Sequence, residues 1–170
     1  VIGRLKALAS PRDVEGMARF GINARNTLGV SIPELRKIAK EGGTDHALAL
    51  RLWDSGVHEA RILAGMVADP ASLTEDQMDR WVRDFDSWDV CDQCCSNLFV
   101  ETRVAHAKAV EWSGRDEEFV KRAGFALMAA LAVHDKQATD DAFVRFLPII
   151  RREAGDERNF VKKAVSWALR

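Results

Sequence analysis

Apolar residues recur along most of this chain at intervals of three and four, the spacing that gathers them on one side of an α-helix. The pattern predicts a helix over Ile2 to Ala9, stopped by Ser10-Pro11, and a second over Asp13 to Arg19, ending before Gly21. A loop through Asn23, Asn26 and Gly29 leads to Ser31-Ile32-Pro33-Glu34, where Ser31 and Glu34 have the spacing of a capping box and Pro33 sits in the first turn. Leu35, Ile38 and Ala39 then form a buried stripe up to Gly42-Gly43. Thr44 opens a helix through Leu48, Leu52 and Trp53, and His58 to Ala68 forms the next, broken by Asp69-Pro70. Thr74 starts another through Trp81 and Val82, and the stretch Phe85 to Val100 follows it as the central helix. Thr102 to Trp112, Asp116 to Val133, Asp140 to Ile150 and Glu157 to Leu169 complete the series. No segment alternates as a strand does. The breaks are short, so neighbours are expected to pair antiparallel in an all-α fold.

A short motif repeats. Phe119-Val120-Lys121-Arg122-Ala123 returns 41 residues later as Phe160-Val161-Lys162-Lys163-Ala164. Helix pairs with a period in this range point to stacked HEAT-like or armadillo-like repeats. In each copy the second basic residue lies at the margin of the apolar stripe, so stacking would align Arg122 and Lys163 along one side.

Composition narrows the partners. The 170 residues are 47% hydrophobic and 30% charged, a globular profile, with a formal net charge of −1. That balance is not the footprint of a strong nonspecific nucleic-acid binder, although the 25 Lys and Arg can still be sorted onto one face. Three cysteines fit no simple disulfide framework and suggest a reducing compartment, so a cytoplasmic location is expected. Only one C-x-x-C spacing occurs, which argues against zinc, and Cys91, Cys94 and Cys95 read best as small helix-packing residues. No apolar run reaches the length of a membrane span, and no signal-peptide pattern opens the chain. The first residue is Val1 rather than methionine, so the expectation is one domain over residues 1–170 with pieces missing at its ends.

The chemistry concentrates in FDSWDVCDQCCSNLFV, Phe85 to Val100. With Asp86 or Ser87 as N-cap, Cys91, Cys94, Cys95, Leu98 and Phe99 share one apolar stripe. Trp88 and Asp92 are one turn apart at its edge, so an indole and a carboxylate stand side by side. Asp89 lies further round, towards the polar face. The competing structural reading makes Trp88 a core anchor and Asp92 a solvated acid near a helix N-terminus.

Six blocks in order give the chain a resemblance. GMARFGIN at Gly16 to Asn23, VSIPELRKIAK at Val30 to Lys40 and HEARILA at His58 to Ala64 come first. SWDVCDQCCSNLF at Ser87 to Phe99, FVKRAGFAL at Phe119 to Leu127 and NFVKKAVSWALR at Asn159 to Arg170 follow. Together they resemble the DNA alkylation repair proteins built from HEAT-like repeats, which are glycosylases for alkylated purines. The resemblance implies an α-α superhelix of antiparallel helix pairs with a concave face, acting as a monomer on double-stranded DNA with no cofactor or metal. It also implies catalytic roles for Trp88 and Asp92, spaced W-x-x-x-D, and for Trp167 on a late helix. Arg122 matches a basic residue that the family places near the DNA backbone. Lys163 follows from the internal repeat, and Arg61 is a third basic candidate, for which a surface ion pair competes.

These residue types suit the chemistry. A purine alkylated at N3 or N7 is already cationic and leaves without a strong acid. The obstacle is positive charge growing on the deoxyribose, which a fixed carboxylate stabilises while orienting water. Indole faces offer electron-rich surfaces to the same charge. The family is thought to work without extruding the base, unlike most glycosylases. Two other functions compete with the glycosylase reading. One is a noncatalytic helical scaffold that binds DNA structures or a protein, since a fold does not fix a function. The other is a thiol redox protein using Cys91 and Cys94.

Overall fold

A computed structural model describes residues 1–170. The backbone is all helical, with no strand. The helices are α1 (Ile2–Ala7), α2 (Pro11–Arg19), α3 (Ile32–Gly42), α4 (His46–Asp54), α5 (His58–Val67) and α6 (Glu75–Arg83). They continue as α7 (Trp88–Asn97), α8 (Ala105–Ser113), α9 (Glu118–His134), α10 (Asp140–Val144), α11 (Leu147–Glu153) and α12 (Asn159–Leu169). The chain divides into two compact units, Val1–Thr74 and Glu75–Arg170. No helix is long and apolar enough to cross a membrane.

In the first unit α3 and α4 pack on α5. Leu35, Ile38, Leu52, Trp53, Ile62 and Leu63 fill its core. α1 ends at Ala7, two residues short of the expected Ala9, and Ser10-Pro11 instead starts α2. The Ser10 hydroxyl accepts from the Asp13 amide, and Pro11 takes the first helical position, where its missing N–H costs nothing. The expected capping box at Ser31 is not made, and Asp45 rather than Thr44 caps α4 through the Leu48 amide.

The loop before α3 is organised by Glu59, which is fully buried. Its carboxylate accepts from the amides of Leu28, Gly29 and Val30, the shortest bond being 2.6 Å to Gly29. Gly29 has φ +78°, and a side chain there would start 2.4 Å from the Ser10 carbonyl oxygen, so only glycine fits. In sequence Glu59 looks like any first-turn acid.

The second unit is built around α9. Every residue from Val120 to Leu131 is buried, the signature of a helix surrounded by others. It packs on α6, α7, α8 and α12. The Cys91 and Cys95 thiols of α7 donate to the Phe119 and Ala123 carbonyls of α9, at 3.8 and 3.6 Å. Residues one turn apart on α7 thus meet residues one turn apart on α9 in the same order, so these two helices run parallel. The Phe119 and Phe160 rings, 5.5 Å apart, bring the N-terminal ends of α9 and α12 together. The result is a row of like-directed helices, α7, α9 and α12, with α8 returning the chain between the first two. Gly124 lets α8 come close, because a side chain there would start 2.4 Å from the Ser113 backbone nitrogen.

The organising element is therefore α9, rather than the stretch from Phe85 to Val100. That stretch also stops early: α7 ends at Asn97 and a 3-10 turn, Phe99–Glu101, follows. The single helix expected over Asp140 to Ile150 is two, α10 and α11, parted at Arg145-Phe146. Pro148 explains the break. It has no N–H to donate to Val144, and its ring excludes that carbonyl from a continuous helix.

Candidate functional site

Trp88 opens α7 and Asp92 stands one turn later, both partly exposed. Ser87, buried and extended, holds the N-cap position without a side-chain cap bond. The apolar side of α7 faces α9, which turns Asp92 towards Arg122. Arg122 Nε donates to Asp92 Oδ1 at 2.9 Å and Nη2 donates to Oδ2 at 2.7 Å, a two-pronged fork. The remaining terminal nitrogen donates to the Phe160 carbonyl at 2.6 Å, tying the pair to α12. The guanidinium carbon lies 6.0 Å from the Trp88 ring centroid, within cation–π range. Three successive helices of the row thus meet at one ion pair.

Exposure is uneven within that pair. The Arg122 side chain is 7% exposed and the Asp92 side chain 17%. Burial holds the Asp92 carboxyl above its ordinary pKa, and the pull of Arg122 only partly offsets it. Burial also works against the Arg122 charge, but the bonds to Asp92 outweigh it and keep the guanidinium above its ordinary value. The fork geometry suits the ionised pair.

The other residues singled out from sequence fall differently. Trp167 lies on α12 about two turns beyond Phe160 and on the same side of the helix. It is partly exposed and shares no hydrogen bond or ring contact with the trio. Lys163 is exposed. Arg61 belongs to the first unit, where its guanidinium lies over the Trp53 ring at 5.3 Å. Arg122 is not offered to solvent as the phosphate-facing reading requires, since every nitrogen of its guanidinium is engaged within the fold. No group of three or more His, Cys, Asp or Glu side chains is arranged to hold a metal.

Sequence reasoning missed the group that secures this corner. Lys121, next to Arg122, is buried and donates to Glu153 at 2.6 Å, with Asp156 at 3.8 Å. Arg158 clasps Asp156 at 2.5 Å and donates to the Asp116 carbonyl at 2.6 Å, which fixes the approach to α12. Lys121 stands 32 positions from Glu153 and Arg158 stands 42 from Asp116, beyond any spacing rule, and only the Asp156–Arg158 pair, two positions apart, is local. The one signal was the repeat, which marked Lys121 and Arg122 without showing what they bind.

A family model described as DNA alkylation repair enzyme matches residues 1–170. No curated protein matches the chain. Among solved structures, one is superimposable with a TM-score of 0.88 at 22% identity, over 99% of this chain and 72% of that one. It is described as a new family of proteins related to the HEAT-like repeat DNA glycosylases, with affinity for branched DNA structures. At that identity the likeness establishes the fold, a HEAT-like array of helix pairs.

Proposed function

Because the chain belongs to the DNA alkylation repair enzyme family over its whole length, we propose that it is a DNA glycosylase that hydrolyses the N-glycosidic bond of N3- or N7-alkylated purines. The observation that carries this reading is the Trp88–Asp92 pair at the start of α7, with Asp92 fixed by the Arg122 fork and still partly open to solvent. Double-stranded DNA carrying the adduct is the substrate, and the base is not extruded. The cationic base departs as a neutral purine. Asp92 faces the charge left on the deoxyribose and aligns the attacking water, while the Trp88 indole lies against the sugar. Arg122 serves as a positioning residue that holds the carboxylate in place, rather than as a phosphate contact. A preorganised charge of this kind is worth about 10²–10³ in rate. Trp167 would close the sugar site from α12, and Lys163 and Arg61 are the phosphate candidates.

The test is duplex DNA with a single N7-methylguanine, assayed for free base. Asp92→Asn should lower release about 10²–10³-fold while duplex affinity stays near wild type.

A second reading has its own support. The superimposable structure belongs to a family with affinity for branched DNA, and a scaffold that only binds DNA has equal use for a buried Asp92–Arg122 pair as a tie between helices. Wild-type protein that binds branched duplexes tightly and releases no base would establish that function instead.

A further inference from the structure

We propose that Lys121 is a positioning residue for the hydrolysis, acting on the Asp92 carboxylate through the start of α12 and through Arg122. The proposal rests on the glycosylase reading and adds what sets the geometry of its site. The route is short. Arg122 grips Asp92 with Nε and Nη2 on one edge of its guanidinium and the Phe160 carbonyl with Nη1 on another. The group is planar, so anchors on two edges fix its plane as well as its place. The carboxylate takes its orientation from that plane. Asp92 is placed by its own helix, but Phe160 is 38 positions from Arg122, in the first turn of α12. Where that turn sits decides where the third bond points.

Two kinds of contact hold that turn on α9. Val161, Ala164 and Val165 are buried, and the Phe119 and Phe160 rings meet. Apolar burial is non-directional, so it holds the helices together more firmly than it sets their register. Charge-assisted hydrogen bonds are directional. Lys121 Nζ donates to Glu153 Oε2 at the end of α11, while Arg152 takes the other Glu153 oxygen. Lys121 also stands 3.8 Å from Asp156, in the loop that leads into α12. Asp156 accepts from the backbone amide and the guanidinium of Arg158, the N-cap residue of α12. Lys121 therefore ties the entrance of α12 to the turn of α9 that carries Arg122. The side chains of Lys121, Glu153 and Asp156 are only 10%, 14% and 11% exposed. Desolvation offsets much of what such a pair adds to stability, whereas its directionality remains. Starting a helix does not require it either, because Lys162, at the equivalent place in the α12 copy, is exposed. Register is what the cluster supplies, and Arg122 is the side chain that depends on it.

The test joins kinetics to a spectroscopic signal from Arg122. Lys121→Met keeps the aliphatic stem and removes the charge. Glu153→Gln removes the opposite charge and keeps an acceptor, so one variant remains if the other does not fold. Both are assayed well below their melting temperatures on duplex DNA carrying N7-methylguanine. Each should lower kcat about tenfold or more with KM near wild type, because small misplacements of a reacting group cost that much. Each should also move the Arg122 Nε–H resonance, assigned by its loss in Arg122→Lys, in protein without DNA. Lys121→Arg, which keeps the charge, should recover both. A resonance that stays in place, an unchanged kcat or a loss confined to KM overturns the proposal while the glycosylase reading stands. A lower melting temperature with the resonance unmoved makes the cluster a structural tie only, and overturns it too. Wild-type protein that releases no base ends the glycosylase reading and this proposal together, whatever Lys121 does.

Discussion

The pentapeptide at Phe119 to Ala123 and its copy at Phe160 to Ala164 have nearly the same sequence and opposite fates. Val120 and Val161 are buried, as are Ala123 and Ala164, and the two phenylalanine rings meet. The basic pair diverges. Lys121 and Arg122 are buried and neutralised by Glu153 and Asp92, whereas Lys162 and Lys163 are exposed. The repeat therefore encodes how a helix enters the row. Whether its cations hold the fold together or face solvent depends on what covers them, and α12 covers the start of α9.

Four measurements sharpen or break this contrast, the largest effect first. Arg122→Ala leaves the Asp92 carboxyl in a mostly buried place without a partner, and a broken buried pair costs about 3–5 kcal/mol. Its melting temperature should fall steeply, while Lys163→Ala should stay within about 0.5 kcal/mol of wild type. Equal losses in the two variants would erase the distinction. The same reasoning alters what Asp92→Asn means. An Asp92 lining an open groove would be replaceable without cost, but here the change weakens one end of an ion pair, so release rates need melting curves beside them.

One position past the pentapeptide, Gly124 and Val165 occupy equivalent places. Gly124→Ala forces α8 away from α9 and should cost about 1–3 kcal/mol as overpacking. A stability unchanged by that substitution would mean the two helices separate without penalty.

The acid limb of stability is the third measurement. Arg158, through its guanidinium and its own backbone amide, holds the Asp156 carboxyl down at about 2, with the Lys121 charge adding to the pull. A folded-state pKa below the unfolded one contributes stability that is complete above the unfolded value and is lost as pH falls towards about 2. Asp92 has the opposite sign, since burial raises it, so protonation near its own pKa does not weaken the folded state in this way. Asp156→Asn should flatten the loss of stability between about pH 4 and pH 2, and a melting profile as steep as wild type would show that the Arg158–Asp156 pair does not set the acid limb. Smallest of the four is Lys163→Ala in duplex binding, which should reduce the salt slope by about 1 and leave the melting temperature alone.

The order of the helices was legible, and their number but for one, because an amphipathic stripe survives in single-sequence periodicity. The Asp140–Ile150 segment misled because Pro148 falls within a stripe that remains periodic across the break. The W-x-x-x-D spacing of Trp88 and Asp92 placed both on one edge of α7, where the structure has them. Arg122 was marked as basic and marginal to its stripe, but its burial follows from α12 lying over it, and a helix nearly forty residues on leaves no trace in local spacing. Glu59 was hidden for a different reason: a first-turn acid satisfying its own helix and one satisfying a distant loop are the same letter in the same place.

The cysteines shut between α7 and α9 give the molecule a built-in clock. Burial pushes Cys91 well above the usual thiol range and Cys95 above it, so neither offers a thiolate to reagents while the helices stay together. Alkylation of these sulfurs therefore waits for the interface to part, and its rate counts those openings. Since Asp92 immediately follows Cys91, the count refers to the same helix that carries the carboxylate. Labelling at the sulfur would thus report how often that carboxylate leaves register with its neighbour.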